Sequence, residues 1–317
     1  MTDQKYLREI QLAVLSMLRE FDEICRRNDI RYFAMCGTLL GAVRHRGFVP
    51  WDDDVDLGIL REDFDKLKKL PREEWGDKLE FVTAEDDDAR HDHIFPRVYL
   101  KNSKIQSYDD VENWIDPKTG KSWHTGLFLD FYIFEQIADD DREYRRILAR
   151  GAKTEKNYKG CKLEANYRSA KGFRRAKRFY RYLYGKASRA IWKRPWTRLD
   201  RRFTALIEAS QKGGQIGCYY APFGIYGGFD SYKLQKEDLF PLGKLPFEDM
   251  LIPVPNRPDV CLAKDFGEDY MTPPPENRRT HIDFVYADLA DGTVLTVDPI
   301  PGSLGAEKTG RQEREEI

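Results

Sequence analysis

The chain has 317 residues, 41% of them hydrophobic and 13% aromatic, enough for one large domain with an insertion or for two smaller ones. Lys and Arg number 53 against 54 Asp and Glu, so the net charge of -1 offers no general attraction to nucleic acid. Five cysteines without C-x-x-C spacing argue against a disulfide framework or zinc site and for a reducing, cytosolic compartment. There is no apolar run long enough to span a bilayer and no signal-peptide core, so the chain is expected to be cytoplasmic and at most peripheral to a membrane. The charge is unevenly placed: residues 142–202 hold 22 basic against 4 acidic side chains, an excess of +18 that leaves about -19 elsewhere.

In chain order, Leu7, Ile10, Val14, Leu18, Phe21 and Cys25 mark the stripe of an amphipathic helix ending near Asn28-Asp29. The strand "RYFAMCG" stops at Gly37, where Thr38 is placed to cap a short helix, "LLGAVRH". After the loop "RGFVP" and an acidic cluster comes the strand "VDLGIL", then an exposed helix, "REDFDKLKKLP", ended by Pro71. Further strands are expected at 79–84, 95–101 and 126–135, which together predict a mixed sheet flanked by helices, an α/β (α+β) fold. Residues 1–139 are read as a catalytic core and 140–212 as a basic helical insertion closed by Gly213-Gly214. Residues 213–300 are read as a C-terminal part with a strand in "EDMLIPVP" and a helix in "PDVCLAKDFGEDYM", and 301–317 as a disordered tail.

The stretch "CGTLLGAVRHRGFVPWDDDVDLGI" carries the chemistry. A glycine turn at a helix start offers backbone N–H groups to a phosphate. Asp54 and Asp56, one residue apart on a strand, point to one face and can share a divalent ion. A solvated acidic loop is the alternative. Asp130, set in the apolar run "GLFLDFYIF", needs a partner if buried and supplies a third acid. Three carboxylates on neighbouring strands suit two Mg²⁺ (or Mn²⁺) ions of the kind that clamp both oxygens of a phosphoryl transfer.

"GTLLGAVRHRGFVPWDDDVDLGI", "GLFLDFYIF" and the late "PPPENRRTHI" resemble the LicD family of phosphocholine transferases and fukutin-related proteins, over roughly residues 25–135 and 215–285. The resemblance implies a polymerase-β-like nucleotidyltransferase fold. It implies that Gly37 and Thr38 form the glycine turn and that Asp54, Asp56 and Asp130 are the metal-binding and catalytic acids, with Asp130 as a candidate general base. It also implies transfer of a phospho-linked head group from a CDP-linked donor to a hydroxyl of a glycan, lipid-linked saccharide or teichoic-acid precursor, with CMP leaving. A nucleotidyltransferase releasing pyrophosphate and a non-catalytic glycan- or membrane-binding protein are the alternatives.

Arg44, Arg46 and Arg97 are candidates for phosphate oxygens, with ion pairs to Asp52 or Asp53 as the alternative. His281, after Arg278 and Arg279, is a further substrate-binding candidate; the His91 and His93 pair reads as a solvent-exposed loop. Tyr219, Tyr220, Phe223 and Tyr226 suit either a cytosine or quaternary-ammonium contact or ordinary loop packing. The basic helices suit an anionic membrane surface, an anionic glycan or plain solvation, and no nucleic-acid module accompanies them.

Overall fold

The computed structural model describes residues 2–219, 233–276, 279 and 284–296. The chain runs through α1 (Thr2–Arg27), β1 (Tyr32–Ala34), α2 (Cys36–Arg44), β2 (Asp56–Leu60), α3 (Arg61–Leu67) and β3 (Leu79–Val82). Next come β4 (Arg97–Leu100), β5 (Lys104–Ser107), α4 (Tyr108–Asn113), β6 (Trp114–Ile115) and β7 (Phe128–Gln136). The basic region holds α5 (Asp141–Lys162), β8 (Glu164–Ala165), α6 (Gly172–Ile191) and α7 (Pro195–Glu208). Beyond it lie β9 (Ile216–Cys218), β10 (Lys233–Leu234), α8 (Lys236–Leu239), β11 (Gly243–Phe247), β12 (Met250–Val254), α9 (Pro258–Phe266), β13 (Phe284–Asp288) and β14 (Val294–Thr296).

The main sheet has the order β1-β2-β7-β4-β3, with β2 and β7 parallel and their other neighbours antiparallel. β4 pairs with the start of β7, and β9 with its end, so β7 is the spine. Burial on both faces explains why β7 reads as an almost unbroken apolar run instead of an alternating one. The apolar stripe of α1 closes one face, with Phe21 edge-on to Phe131 at 5.0 Å between ring centres. Gly58 in β2 leaves room for the Phe33 ring, which would stand 2.2 Å from an added Cβ. This is the mixed sheet flanked by helices that the strand pattern predicts. Among the described residues no helix is long and apolar enough to cross a membrane.

Three local expectations change. α2 starts at Cys36, before the glycine, with Met35 at its N-cap, so Thr38 sits inside the helix and is not its cap. α3 stops at Leu67, short of Pro71. The basic region is not uniform: Tyr144, Ile147 and Tyr158 of α5 and Phe203 and Ile207 of α7 enter the main core, whereas α6 gives it no buried side chain and touches it through the half-buried Tyr184.

Candidate active site

The strand register sets the site. Asp56 lies opposite Asp130 in the parallel pair, and Asp130 lies opposite Arg97 in the antiparallel pair, so the three side chains stand in a row on one face of the sheet. The start of β2 is pinned from several directions. Thr38 Oγ1 accepts the Asp56 N–H at 2.9 Å, and Asp56 O accepts the Met35 N–H at 3.0 Å. The Asp130 N–H donates to Val55 O at 3.0 Å. From α1, Gln11 Nε2 donates to Asp52 O at 2.8 Å, tying the acidic loop to the N-terminal helix. A Cβ on Gly37 would lie 2.1 Å from Asp52 Oδ2, so the glycine admits that carboxylate against the first turn of α2.

The cluster is electrostatically unbalanced. One carboxylate oxygen each from Asp52, Asp53 and Asp54 lie within 4.8 Å of one another. Asp54, Asp56 and Asp130 do not close to that distance as a set; Asp130 is turned to Arg97, with Nε at 2.6 Å from Oδ1 and Nη2 at 3.4 Å from Oδ2. Among the described residues no Lys or Arg pairs with Asp52, Asp53, Asp54 or Asp56, so the expected arginine partners of Asp52 and Asp53 are not there. Burial, then the neighbouring acids, push the Asp54 and Asp56 carboxyls well above the ordinary range. Burial likewise raises Asp52 and Asp53.

Asp52, Asp54 and Asp56 line a cleft of about 650 Å³ together with Gly37, Arg44, Trp51, Asp265 and Tyr270. Asp265, on α9, is buried, its carboxyl is raised to about 6 by that burial, and its Oδ1 has no hydrogen-bond partner among the described residues. Arg44 Nη1 donates to Tyr270 O at 2.6 Å, and the guanidiniums of Arg44 and Arg279 lie 5.8 and 4.6 Å from the Trp51 ring centre. A larger cavity, about 1120 Å³, opens at the far ends of β2 and β7; its Glu135 already pairs with Arg61 and Lys212.

The remaining candidates separate. Arg46 is exposed, with a left-handed backbone (φ 57°), and lies outside the cleft lining; its carbonyl accepts the Glu248 N–H of the β11–β12 turn. Arg97 is buried beneath the row, its guanidinium 3.7 Å from the Phe128 ring centre and engaged by Asp130 and Asp92, so it is an ion-pair partner instead of a free phosphate ligand. His281, and with it Arg278, Tyr220, Phe223 and Tyr226, lies outside the described residues; Tyr219 is a core residue whose hydroxyl accepts the Ala138 N–H. The histidine pair is not a solvent-exposed loop. His91 is fully buried against Tyr99, and His93 Nδ1 is 2.6 Å from Glu155 of α5.

Sequence reasoning passed over Asp265, Trp51 and the supporting set Asp92, Lys159 and Glu155. Asp92 is buried between Lys159 (2.7 Å), Arg97 (3.3 Å) and His93 (3.3 Å). Burial alone would raise its carboxyl, but His93, Lys159 and Arg97 outweigh that and hold it below the ordinary range. Helix α5 thus reaches Asp130 through Lys159, Asp92 and Arg97. Nothing in the sequence pattern marks Asp265, a lone acid beside Lys264 on a short Pro-initiated helix.

Residues 29–146 match the family described as LicD/FKTN/FKRP, nucleotidyltransferase domain. The lipopolysaccharide cholinephosphotransferase LicD of Haemophilus influenzae is 25% identical over 282 residues, which cover 87% of this chain and 95% of that protein. Human ribitol 5-phosphate transferase FKRP is 32% identical over a stretch covering 26% of this chain and 21% of FKRP. A Rickettsia prowazekii protein, RP689, is 42% identical over 59 residues, 19% of this chain and 22% of that protein. The matched span begins just before β1 and ends in α5, so it contains the whole row Asp56, Asp130 and Arg97 and the acidic loop that precedes it. The matches therefore give residues 29–146 as a LicD-type nucleotidyltransferase domain, within a chain that resembles the Haemophilus cholinephosphotransferase over most of its length.

Proposed function

We propose that the chain transfers a substituted phosphate, of the class of choline phosphate or ribitol phosphate, from a CDP-linked donor to a hydroxyl of a cell-surface glycan or its precursor, releasing CMP. The two transferases it resembles are named for such head groups. The observation that carries the reading is the convergence of Asp52, Asp54, Asp56 and Asp265 on one cleft, with Asp53 beside Asp52 and Asp54, and with no Lys or Arg paired to them among the described residues.

That donor set suits a divalent metal. It is all carboxylate oxygen, the preference of Mg²⁺ or Mn²⁺, and Asp265 Oδ1 is a buried acceptor without a donor. Asp52, Asp53 and Asp54 offer one converging trio; Asp56 and Asp130 stand beside it on the strands, as would serve a second ion. When bound, such ions supply charge neutralisation of the diphosphate and acidify the attacking hydroxyl.

The chain's own groups do the rest. Arg44 and Arg279 carry two guanidiniums around Trp51 at the cleft; burial and the charge of Arg279 both disfavour the charged form of Arg44, a strain that an anionic diphosphate between them relieves. Arg97 fixes the Asp130 carboxylate, leaving Oδ2 the less committed oxygen. Asp130 accepts the proton of the acceptor hydroxyl as its oxygen bonds to the head-group phosphorus; the bond from that phosphorus to the bridging oxygen breaks, and its electron pair leaves with CMP. Thr38 holds the backbone of Asp56 and so keeps the row in register.

A panel of CDP-linked donors with a mixed glycan acceptor pool and Mg²⁺ or Mn²⁺ tests this by CMP release. Acceptor-dependent CMP from one donor is the expected result. Pyrophosphate release from a nucleoside triphosphate without CMP from any CDP donor would replace the reading with nucleotidyl transfer, and no calorimetric binding of either metal or CDP-choline would end it.

A further inference from the structure

Helix α6 is mounted inside out. On a helical projection its apolar residues Phe173, Ala176, Tyr180, Leu183, Ala187 and Ile191 fall on one side, as on a helix that covers a core. That side faces away from the protein: Phe173 is 84% exposed, Tyr180 69%, Leu183 48% and Ile191 67%. Another side makes the contact with the body, where Tyr184 and Tyr182 pack half-buried against its two apolar clusters. Gly185 and Ser188 are its buried residues, and a Cβ on Gly185 would meet Gly160 O of α5 at 2.3 Å. Arg189 locks this orientation, donating to Cys161 O at 2.7 Å and to Glu164 at 3.0 Å. The helix cannot roll its apolar side inward without losing both the close approach to α5 and these bonds.

The flanks of the exposed stripe are cationic. Arg175, Lys177 and Lys186 border it and are exposed, and residues 165–199 contain 12 Lys and Arg and no Asp or Glu. Trp192, 40% exposed, continues the apolar surface past the end of the helix.

We infer that α6 is an interfacial helix that seats the enzyme on an anionic bilayer leaflet, its stripe at the headgroup boundary and its cations among the lipid phosphates. The combination selects this occupant. A soluble anionic glycan would use the charges but leaves Phe173, Leu183 and Ile191 in water. A second copy meeting stripe to stripe about a two-fold axis would press one acid-free basic surface against another. The inference stands on α6 and does not depend on the donor or acceptor proposed above.

The test is flotation of the full chain with phosphatidylcholine vesicles, with and without phosphatidylglycerol. The parent should float with the anionic vesicles only, and less as salt rises. Leu183→Glu with Ile191→Glu should lower the bound fraction about tenfold while leaving the melting curve unchanged, because both side chains are already in solvent. Arg175→Gln with Lys186→Gln should remove most of the salt-sensitive part. Failure of the parent to float, equal flotation of parent and Leu183→Glu/Ile191→Glu, or a concentration-dependent dimer abolished by that variant would each overturn the proposal. CMP release with a soluble acceptor fragment, unchanged in the α6 variants, keeps this outcome separate from that of the reaction assay.

Discussion

Two groups of buried and half-buried acids lie beside the same sheet, joined through Asp130, and they are built on opposite terms. Asp92 is enclosed by Arg97, Lys159 and His93 and is held ionised by them. Asp54 and Asp56 face other acids, and both burial and those neighbours drive them toward the protonated form. A buried charge without a partner is a cost to folding, so a fold retains it where a ligand supplies the counter-charge. On the proposed reading the first group is scaffold and the second is site. Arg97 belongs to both, since it links Asp92 to Asp130.

The largest test of this division is Asp54→Asn. With Asp54 proposed as a metal ligand, this change should lower turnover by about 10³-fold or more. Without added metal the melting temperature should stay level or rise, because a crowded charge is removed; Mg²⁺ should raise the melting temperature of the parent and not of the variant. An active Asp54→Asn enzyme would refute the assignment of the site.

Asp92→Asn probes the scaffold side, and its sign is opposite. The amide keeps the shape but leaves Arg97 and Lys159 without their shared anion, so denaturant unfolding should show a loss of about 3–5 kcal/mol. Parent-like unfolding would mean that the pair contributes nothing and that the contrast between the two clusters is spurious. Between these extremes lies Gly37→Ala. The new methyl meets only the end of the Asp52 side chain, which can rotate away, so stability should change by less than about 1 kcal/mol. Mg²⁺ affinity, measured by calorimetry, should nevertheless drop about tenfold, because Asp52 leaves the trio; unchanged affinity would remove Asp52 from the ligand set.

What was legible in the sequence followed from local rules. Alternation put Asp56 on a defined face of β2, although Asp54, expected on the same strand, lies in the loop before it, and the apolar run around Asp130 announced a buried strand. What was not legible depended on partners distant in the chain. "DDDARHDHIF" looks solvated because its polarity is local, whereas His91 goes under against Tyr99 and the cation that lets Asp92 go under, Lys159, arrives about seventy residues later from α5. Arg97 resembled a phosphate ligand until the register of β4 against β7 placed it at Asp130. The reading of 140–212 as basic and helical could not say which side of α6 faces the body; Gly160 and Gly185 settle that through a contact between two helices. Asp265 had no pattern at all, being one acid on a short helix whose position depends on α9 packing against α2.

The smallest effect tests whether a raised carboxyl by itself marks a site. Asp200 on α7 is pushed up to about 7, first by burial and then by Glu85, against the pull of Lys68, Arg61 and Arg201, yet it lies outside the acidic cleft. Its native form holds a proton over a range where the unfolded chain, titrating near 3.8, has already released it. Stability therefore falls as pH rises from about 4 to about 7 and levels off above that. Asp200→Asn removes the ionisation and should be more stable than the parent by about 1–2 kcal/mol at pH 8, with the advantage vanishing toward pH 4. Turnover at pH 8 should be unchanged. A stability gap independent of pH would assign the effect to packing, and a loss of turnover would bring Asp200 into the functional machinery. The pH-dependent gap with activity intact would show that burial alone can raise an acid here, so that what distinguishes the cleft is the convergence of several such acids on one space.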